Sequence, residues 1–193
     1  MDTELEAKFP NIDKNKIRKV LKKAGAKLIK KEFLQRRVVF NLPKNHEIKG
    51  GWLRVRDEGD KVTMSLKVVD GDKIENQKEI YLEISSFIQA ALLLESIGCQ
   101  KKAYQETKRE LWNLDGVDIT IDEWPFLEPF IEIEGKSEEE VKKVSETLGF
   151  NFSKALFGAV DKLYNLKYGV SEDVINNHTP EIVFNGANPF LGK

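Results

Sequence analysis

The sequence predicts an α+β fold built on an antiparallel sheet of about eight strands, with helices set against it. The first observation behind this is alternation with a period of two, which recurs along the chain. Arg54 and Arg56 alternate with Leu53 and Val55, and Ser65 and Lys67 with Met64, Leu66 and Val68. Glu79 and Glu83 alternate with Ile80, Leu82 and Ile84, Asp118, Thr120 and Asp122 with Val117, Ile119 and Ile121, and Glu132 and Glu134 with Ile131 and Ile133. The second is the short turn signals between these runs, Asp57-Glu58-Gly59-Asp60, Asp70-Gly71-Asp72 and Leu114-Asp115-Gly116, which suit antiparallel hairpins. The third is a set of helix-period stretches bounded by capping residues and inserted between the strands.

In chain order, Glu4-Leu5-Glu6-Ala7-Lys8-Phe9 reads as a strand with its charges on one face, and Pro10-Asn11 ends it. Asp13 caps a helix carried by Ile17, Val20, Leu21 and Ala24, and Gly25 closes it. The Lys-rich side of that helix (Lys14, Lys16, Lys19, Lys22, Lys23) reads as a solvated face. Residues 26–40 are extended, 41–51 form a loop, and 52–57 and 62–69 make a hairpin in which Glu58 is a turn residue without a functional role. Residues 77–84 are a strand leading into Ser85-Ser86, caps for a helix over 87–97 that Gly98 ends. Residues 103–112, 117–123 and 130–134 are further strands. A Glu-rich helix follows Ser137, where its dipole favours acidic groups, and Leu156, Val160, Leu163 and Tyr164 mark another amphipathic stretch. This gives three or four helices in all. After Gly169 the chain is polar and irregular, so we divide it into a domain over 1–168 and a tail or strap over 169–193.

The totals exclude several classes. Lys and Arg number 31 against 32 Asp and Glu, a formal charge of −1, so no global basic field points to nucleic acid or an anionic membrane. The single Cys99 excludes an intrachain disulfide and a multi-cysteine zinc site and suits a reducing cytoplasm. The N-terminus is charged and lacks the apolar region of a signal peptide, and the greasy run near 87–94 is too short to span a bilayer. His46 and His178 are far apart in sequence, and no GxSxG, GxxxxGK[ST] or GxGxxG occurs. Trp52, Trp112 and Trp124 read as core or rim aromatics.

Alternation alone is what any half-exposed antiparallel sheet shows. The charged face here is denser than that requires, with Lys, Arg and Glu on nearly every strand. One arrangement accounts for it: the apolar face lies outward under the helices, and the charged face curls inward to line a polar tunnel. A lumen carrying both carboxylates and guanidinium groups suits a polyanion accompanied by hard divalent cations.

Glu4-x-Glu6-x-Lys8 resembles the signature of the CYTH superfamily, the triphosphate tunnel metalloenzymes. That group includes class IV adenylyl cyclases, thiamine triphosphatases and inorganic tripolyphosphatases. The resemblance continues in order through Leu53-Arg54-Val55-Arg56, Ser65-Leu66-Lys67, Arg109, Ile121-Asp122 and Phe130-Ile131-Glu132-Ile133-Glu134, and spans roughly residues 1–168. It implies a closed eight-stranded antiparallel β-barrel with helices on the outside, binding a triphosphate-bearing small molecule (ATP, thiamine triphosphate or tripolyphosphate) with Mg²⁺ or Mn²⁺. Glu4, Glu6, Glu132 and Glu134 match the family's metal-binding carboxylates, and Asp122 is a fifth. Arg54, Arg56 and Lys67 match its phosphate-binding basic residues; Arg37 and Arg109 are further phosphate contacts, and Lys8 and Lys67 are assigned to catalysis. Hydrolysis of an organic or inorganic triphosphate is the first reading, conversion of ATP to cyclic AMP and pyrophosphate the second, and a non-catalytic polyphosphate-binding module the third. Several members dimerise, so a homodimer is a further expectation, with no interface legible here.

The sequence departs from the family pattern at two places. Its second strand reads Gln35-Arg36-Arg37-Val38-Val39-Phe40, where many members place an acidic residue and a Tyr. Many also carry a Lys two residues before Arg109, where this chain has Thr107; Lys108 beside it points to the opposite face of a regular strand.

Overall fold

The computed structural model describes residues 1–191. Its strands are β1 (Asp2–Thr3), β2 (Leu5–Phe9), β3 (Lys27–Asn41), β4 (Gly51–Asp57), β5 (Val62–Val69), β6 (Gln77–Ile84), β7 (Gln100–Leu114), β8 (Val117–Glu123), β9 (Phe130–Gly135) and β10 (Glu181–Ile182). The helices are α1 (Lys14–Lys23), α2 (Phe87–Ser96), α3 (Glu138–Thr147), α4 (Asp161–Tyr168) and α5 (Glu172–Asn177). Asp13, Ser86 and Ser137 cap α1, α2 and α3 by accepting from the first-turn amides.

Hydrogen-bonded neighbours follow the order β1-β6-β5-β4-β3-β7-β8-β9-β2, with every pair along this path antiparallel, and β10 adds in parallel to β7. β1 and β2 are two halves of one N-terminal strand, interrupted only at Glu4, whose N–H donates to the Gln77 carbonyl at 3.0 Å. The path therefore starts and ends on the same segment, and the sheet is nearly closed into a barrel. Counting that segment once, eight strands make the wall. Beyond its join to β6, the open edge of β2 is covered by Leu156, which exchanges backbone hydrogen bonds with Lys8 at 2.9 and 3.0 Å.

Apolar residues of the wall face outward. Ala7, Phe9, Ile119, Ile121, Ile131 and Ile133 pack under Ile17 and Leu21 of α1 and Val141 and Val144 of α3. On the other side Val38, Phe40 and Val55 pack under Ala90 and Leu94 of α2, beside the buried free thiol of Cys99. Among the described residues no helix is long and apolar enough to cross a membrane.

The structure differs from the sequence reading in three places. β7 is longer than expected at both ends, because Gln100 and Lys101 pair with β3 and Asn113 and Leu114 with β8. Lys14 is not on a solvated face: it pairs with Glu32 and, at 2.8 Å, with Glu123, tying α1 to the rims of β3 and β8. The helices number five among the described residues, α5 falling in the polar segment after Gly169. There Val170, Ile175, Ile182 and Phe190 join Trp124, Phe130, Leu163 and Tyr164 in one buried cluster. Their spacing matches neither a helix nor a strand period, so their burial leaves no periodic signal.

Phe190 is 2% exposed, with its ring 4.7 Å from that of Tyr164 and 5.5 Å from that of Tyr168. Phe190→Ala should lower stability by about 3–5 kcal/mol, the usual cost for a core Phe. Urea unfolding checks this, and a change below about 0.5 kcal/mol, the range of a surface substitution, would mark residues after 169 as an appendage.

Candidate active site

Because side chains on a strand alternate and most of the wall's apolar residues face outward, one charged set from the strands points into the barrel. The resulting cavity has a volume of about 1340 Å³. Glu4, Glu6 and Lys8 reach it from the N-terminal strand, Glu132 and Glu134 from β9, Arg54 and Arg56 from β4, Lys67 from β5, Arg37 from β3 and Arg109 from β7. Strand register pairs them: Glu6 lies opposite Glu134, Lys8 opposite Glu132, Arg37 opposite Arg56, Lys67 opposite Glu79 and Arg109 opposite Asp122.

The contacts divide the lumen into an acidic pole and a basic pole. At the acidic pole Lys8 bonds to Glu6 and lies 3.5 Å from Glu132. Glu4 accepts from Lys67 at 3.0 Å and from Gln77 Nε2 at 2.8 Å. At the basic pole Arg54 pairs with Glu79 at 3.1 Å and Arg56 with Glu58 at 2.6 Å. Arg109 links the two, donating to both oxygens of Asp122 at 2.7 Å and to Glu132 at 2.6 Å. Asp122, alone of the expected site residues, does not line the cavity. It is 1% exposed, and Thr120 adds a third hydrogen bond to its carboxylate, so in this arrangement it orients Arg109.

Electrostatics follow from this enclosure. Burial pushes Glu4 up to about 7, opposed by Lys67 and aided by a hydrogen bond with Glu79, whose own carboxyl falls to about 2 because Glu4, Lys67 and Arg54 outweigh its burial. Burial pushes Glu134 up to about 6, with Glu6 adding to the rise and Lys67 opposing it. Burial pulls Lys8 down, yet Glu6 and Glu132 outweigh it and keep the ammonium above its usual range. Arg56 is lowered to about 10 by burial and by Arg54, with Glu58 opposing. Arg37 is driven well below the usual guanidinium range, by burial first and then by Arg56, Arg54 and Arg109.

Among the described residues no three acidic side chains converge closely enough to hold a cation unaided. The donor set nevertheless fits a hard divalent ion. It is all carboxylate, Glu134 has no hydrogen-bond or ion-pair partner among the described residues, and Mg²⁺ commonly takes only one or two carboxylates and completes its shell from phosphate and water. The buried Nε–H groups of Arg37, Arg54 and Arg56 likewise have no acceptor among the described residues.

Several members of the site were missed by the sequence reading. Glu58, read from the sequence only as a turn residue, is 7% exposed, lines the cavity and pairs with Arg56. Glu79 stood out only as one of an alternating pair, though its place opposite Lys67 would have signalled a partner. Gln77, Trp124 and Lys102 also line the cavity, and burial holds Lys102 below the usual ammonium range. Lys108 faces outward and pairs with Glu123 at 3.2 Å.

A family model described as "CYTH domain" matches residues 2–163. A Methanocaldococcus jannaschii protein provisionally named an adenylate cyclase is 29% identical over 147 residues, which is 75% of this chain and 83% of that protein. Among solved structures, a Vibrio parahaemolyticus protein described as a candidate adenylate cyclase superposes with a TM-score of 0.72 at 12% identity, covering 85% of this chain and 98% of its own. The PH1819 protein of Pyrococcus horikoshii gives 0.67 at 23% identity, over 85% and 99%. At these identities the two structures speak to the fold alone.

Glu134 yields a pH prediction. Its carboxyl is raised in the folded state to about 6, from an ordinary value of 4.5. Its contribution is therefore intact below about pH 4.5 and is lost as pH rises through 6. With chelator present, Glu134→Gln should melt close to wild type at pH 4.5 and above it at pH 7.5, because the amide mimics the protonated acid. Thermal melts across that range test this; an offset that does not change with pH would show that the Glu134 carboxyl is not raised in the folded protein.

Proposed function

Since the chain belongs to the CYTH domain family, whose model spans residues 2–163, we propose that it is a divalent-metal-dependent phosphoryl-transfer enzyme that hydrolyses a triphosphate-bearing small molecule. The observation that carries this reading is the lumen itself. Arg37, Arg54 and Arg56, each with a buried Nε–H that has no acceptor among the described residues, share one cavity with the carboxylates of Glu4, Glu6 and Glu134. A triphosphate answers the first set and a cation carried with it answers the second.

Mg²⁺ or Mn²⁺ held by Glu134 and Glu6, with Glu4 and Glu132 beside them, would neutralise phosphate oxygens and acidify a water. The chain's own residues supply the rest. Arg54, Arg56 and Arg109 present forked donors to the non-bridging oxygens, and Lys67 adds a compact charge. Lys8 stays protonated between Glu6 and Glu132, so it acts through its charge and not as a base. As the water oxygen bonds to the terminal phosphorus, the bridging P–O bond breaks and its electron pair leaves with the diphosphate part. The water's proton passes to a carboxylate, and Glu4, titrating near 7, is suited to accept it. Preorganised cations then do most of the work, since they face the oxygens on which charge accumulates.

A second reading draws on the provisional name of the M. jannaschii relative. In it the ribose 3′-hydroxyl of ATP attacks the α-phosphorus and pyrophosphate leaves. Either reaction accords with a cytoplasmic setting, where the buried free thiol of Cys99 stays reduced.

Purified protein with Mg²⁺ or Mn²⁺ and ATP, thiamine triphosphate or tripolyphosphate should release phosphate. Glu134→Gln should lower the rate by about a hundredfold or more, while Glu95→Gln, at an exposed position of α2, should leave it unchanged. Cyclic AMP and pyrophosphate as products would transfer the assignment to the second reading. Turnover of none of the three substrates would defeat both.

A further inference from the structure

The barrel wall has one unfinished stretch. β6 pairs with β5 along its whole length, but on its other side β1 covers only Lys78 and Glu79. Among the described residues no backbone hydrogen bond reaches that side of residues 80–84. The Gln77 carbonyl accepts from Glu4 on the same edge, so by alternation Tyr81 and Glu83 turn their N–H and C=O groups outward along it. Edge strands are ordinarily shielded by lysine, proline or a bulge, because a row of unmet backbone groups is a template for another strand. The run Ile80-Tyr81-Leu82-Glu83-Ile84 has no lysine or proline, and its ladder to β5 is regular. On its outer face Ile80 is 44% and Leu82 48% exposed.

Register says what pairs there. Directly opposed residues share a face of the sheet, so two identical antiparallel strands can only be centred on a residue facing its own copy. Centring on Ile80 or Tyr81 drives the partner into β1, which holds Glu79. Centring on Glu83 sets two carboxylates directly opposite, which is destabilising. Centring on Ile84 brings the partner's helix α2, which starts at Phe87, into the ladder. Leu82 alone gives a consistent match. Leu82 then meets the partner's Leu82, Ile80 meets the partner's Ile84, and Tyr81 meets the partner's Glu83. Lys61 Nζ stands 3.0 Å from the Tyr81 hydroxyl, so that incoming carboxylate finds an ammonium beside it.

We propose that residues 80–84 of β6 form the interface of a homodimer, in which two copies pair antiparallel about Leu82 and join their barrel walls into one sheet. A stable interface buries roughly 1,200–2,000 Å² in all, which draws in α2 as well as the strand edge. α2 packs on β4 and β5 beside β6, and Ile88 and Leu92 stand on its exposed side. It carries no Lys or Arg, unlike a helix suited to an anionic lipid surface. Tyr81 and Lys61 also line the cavity, so the partner's Glu83 stands at the rim of the lumen.

Light scattering on purified protein at tens of micromolar should give twice the mass of one chain. Leu82→Glu sets two carboxylates directly opposite and should weaken dimerisation by about tenfold or more, with a cooperative melt showing that it folds. Cross-linking reads the register. Opposed Cα atoms at position 82 lie about 4.5 Å apart, within the roughly 4.4–6.8 Å that a disulfide spans. Cys99, the sole native cysteine, is buried, so Leu82→Cys should link into covalent dimers under oxidised glutathione. Ile80→Cys, about as exposed, should not, because the two copies of position 80 lie about 14 Å apart at roughly 3.4 Å per residue. Combining Ile80→Cys with Ile84→Cys should restore the link. A monomer at that concentration would overturn the proposal and leave the edge to another protein's strand or a lipid surface. So would a dimer that Leu82→Glu leaves intact, that Leu82→Cys does not link, or that Ile80→Cys links as readily.

Discussion

The fold is governed by the need to match charge inside a narrow space. A carboxylate or guanidinium taken out of bulk water loses several kcal/mol of hydration by typical estimates, and this is recovered only against a well-placed partner. In a closed barrel the partner must come from a neighbouring strand, so register decides which charges meet. The antiparallel pairing that sets Lys8 opposite Glu132, Lys67 opposite Glu79 and Arg109 opposite Asp122 is therefore an electrostatic arrangement as much as a hydrogen-bonding one. A slip by one residue would turn every one of these groups into the apolar layer beneath the helices and bring Ile119, Ile131 and Ile133 into the lumen.

Closure depends on one short segment. The N-terminal strand pairs with β6 through Asp2 and Thr3 and with β9 through the five residues from Leu5 to Phe9, changing partner at Glu4. That change of partner brings Glu4 to Lys67 and Gln77 of the β5–β6 side while Glu6 and Lys8 face Glu134 and Glu132 of β9. The acidic pole is thus assembled across the seam of the barrel, from strands far apart in sequence. The same segment carries Ala7 and Phe9 outward into the core under α1 and α3, so the alternation that closes the wall also seats its helices. Site and stability cannot be separated here.

This explains how much was legible in the sequence. Alternation gave the strands, because period-two patterning survives in any wall with one greasy face, and the caps Asp13, Ser86 and Ser137 gave the helix starts. Charge density on the inner face gave the tunnel. Glu58 was read only as a turn residue because sequence spacing does not show that its side chain pairs with Arg56. Lys14 was misread for the related reason that its partners, Glu32 and Glu123, lie on two strands far from it in sequence. The segment after Gly169 showed no pattern because Val170, Ile175, Ile182 and Phe190 each fill a separate gap in an aromatic cluster, and irregular spacing is what such filling requires.

The two departures from the family pattern turn out to be one feature. Gln35 and Arg37 lie on β3 and Thr107 on β7, and the side chains of all three are hydrogen-bonded to one another. A lysine at position 107 would set a second cation against Arg37 in a buried recess, and a carboxylate on β3 beside it would neutralise the charge. Thr107 does neither: its hydroxyl accepts from Arg37 and donates to Gln35, holding the guanidinium in place while leaving its charge unmatched. Neutral supports under a buried cation satisfy its N–H groups without cancelling its charge. They also provide orientation, holding the guanidinium beside the cavity, whereas Lys8, Arg54, Arg56, Lys67 and Arg109 are each held by a carboxylate.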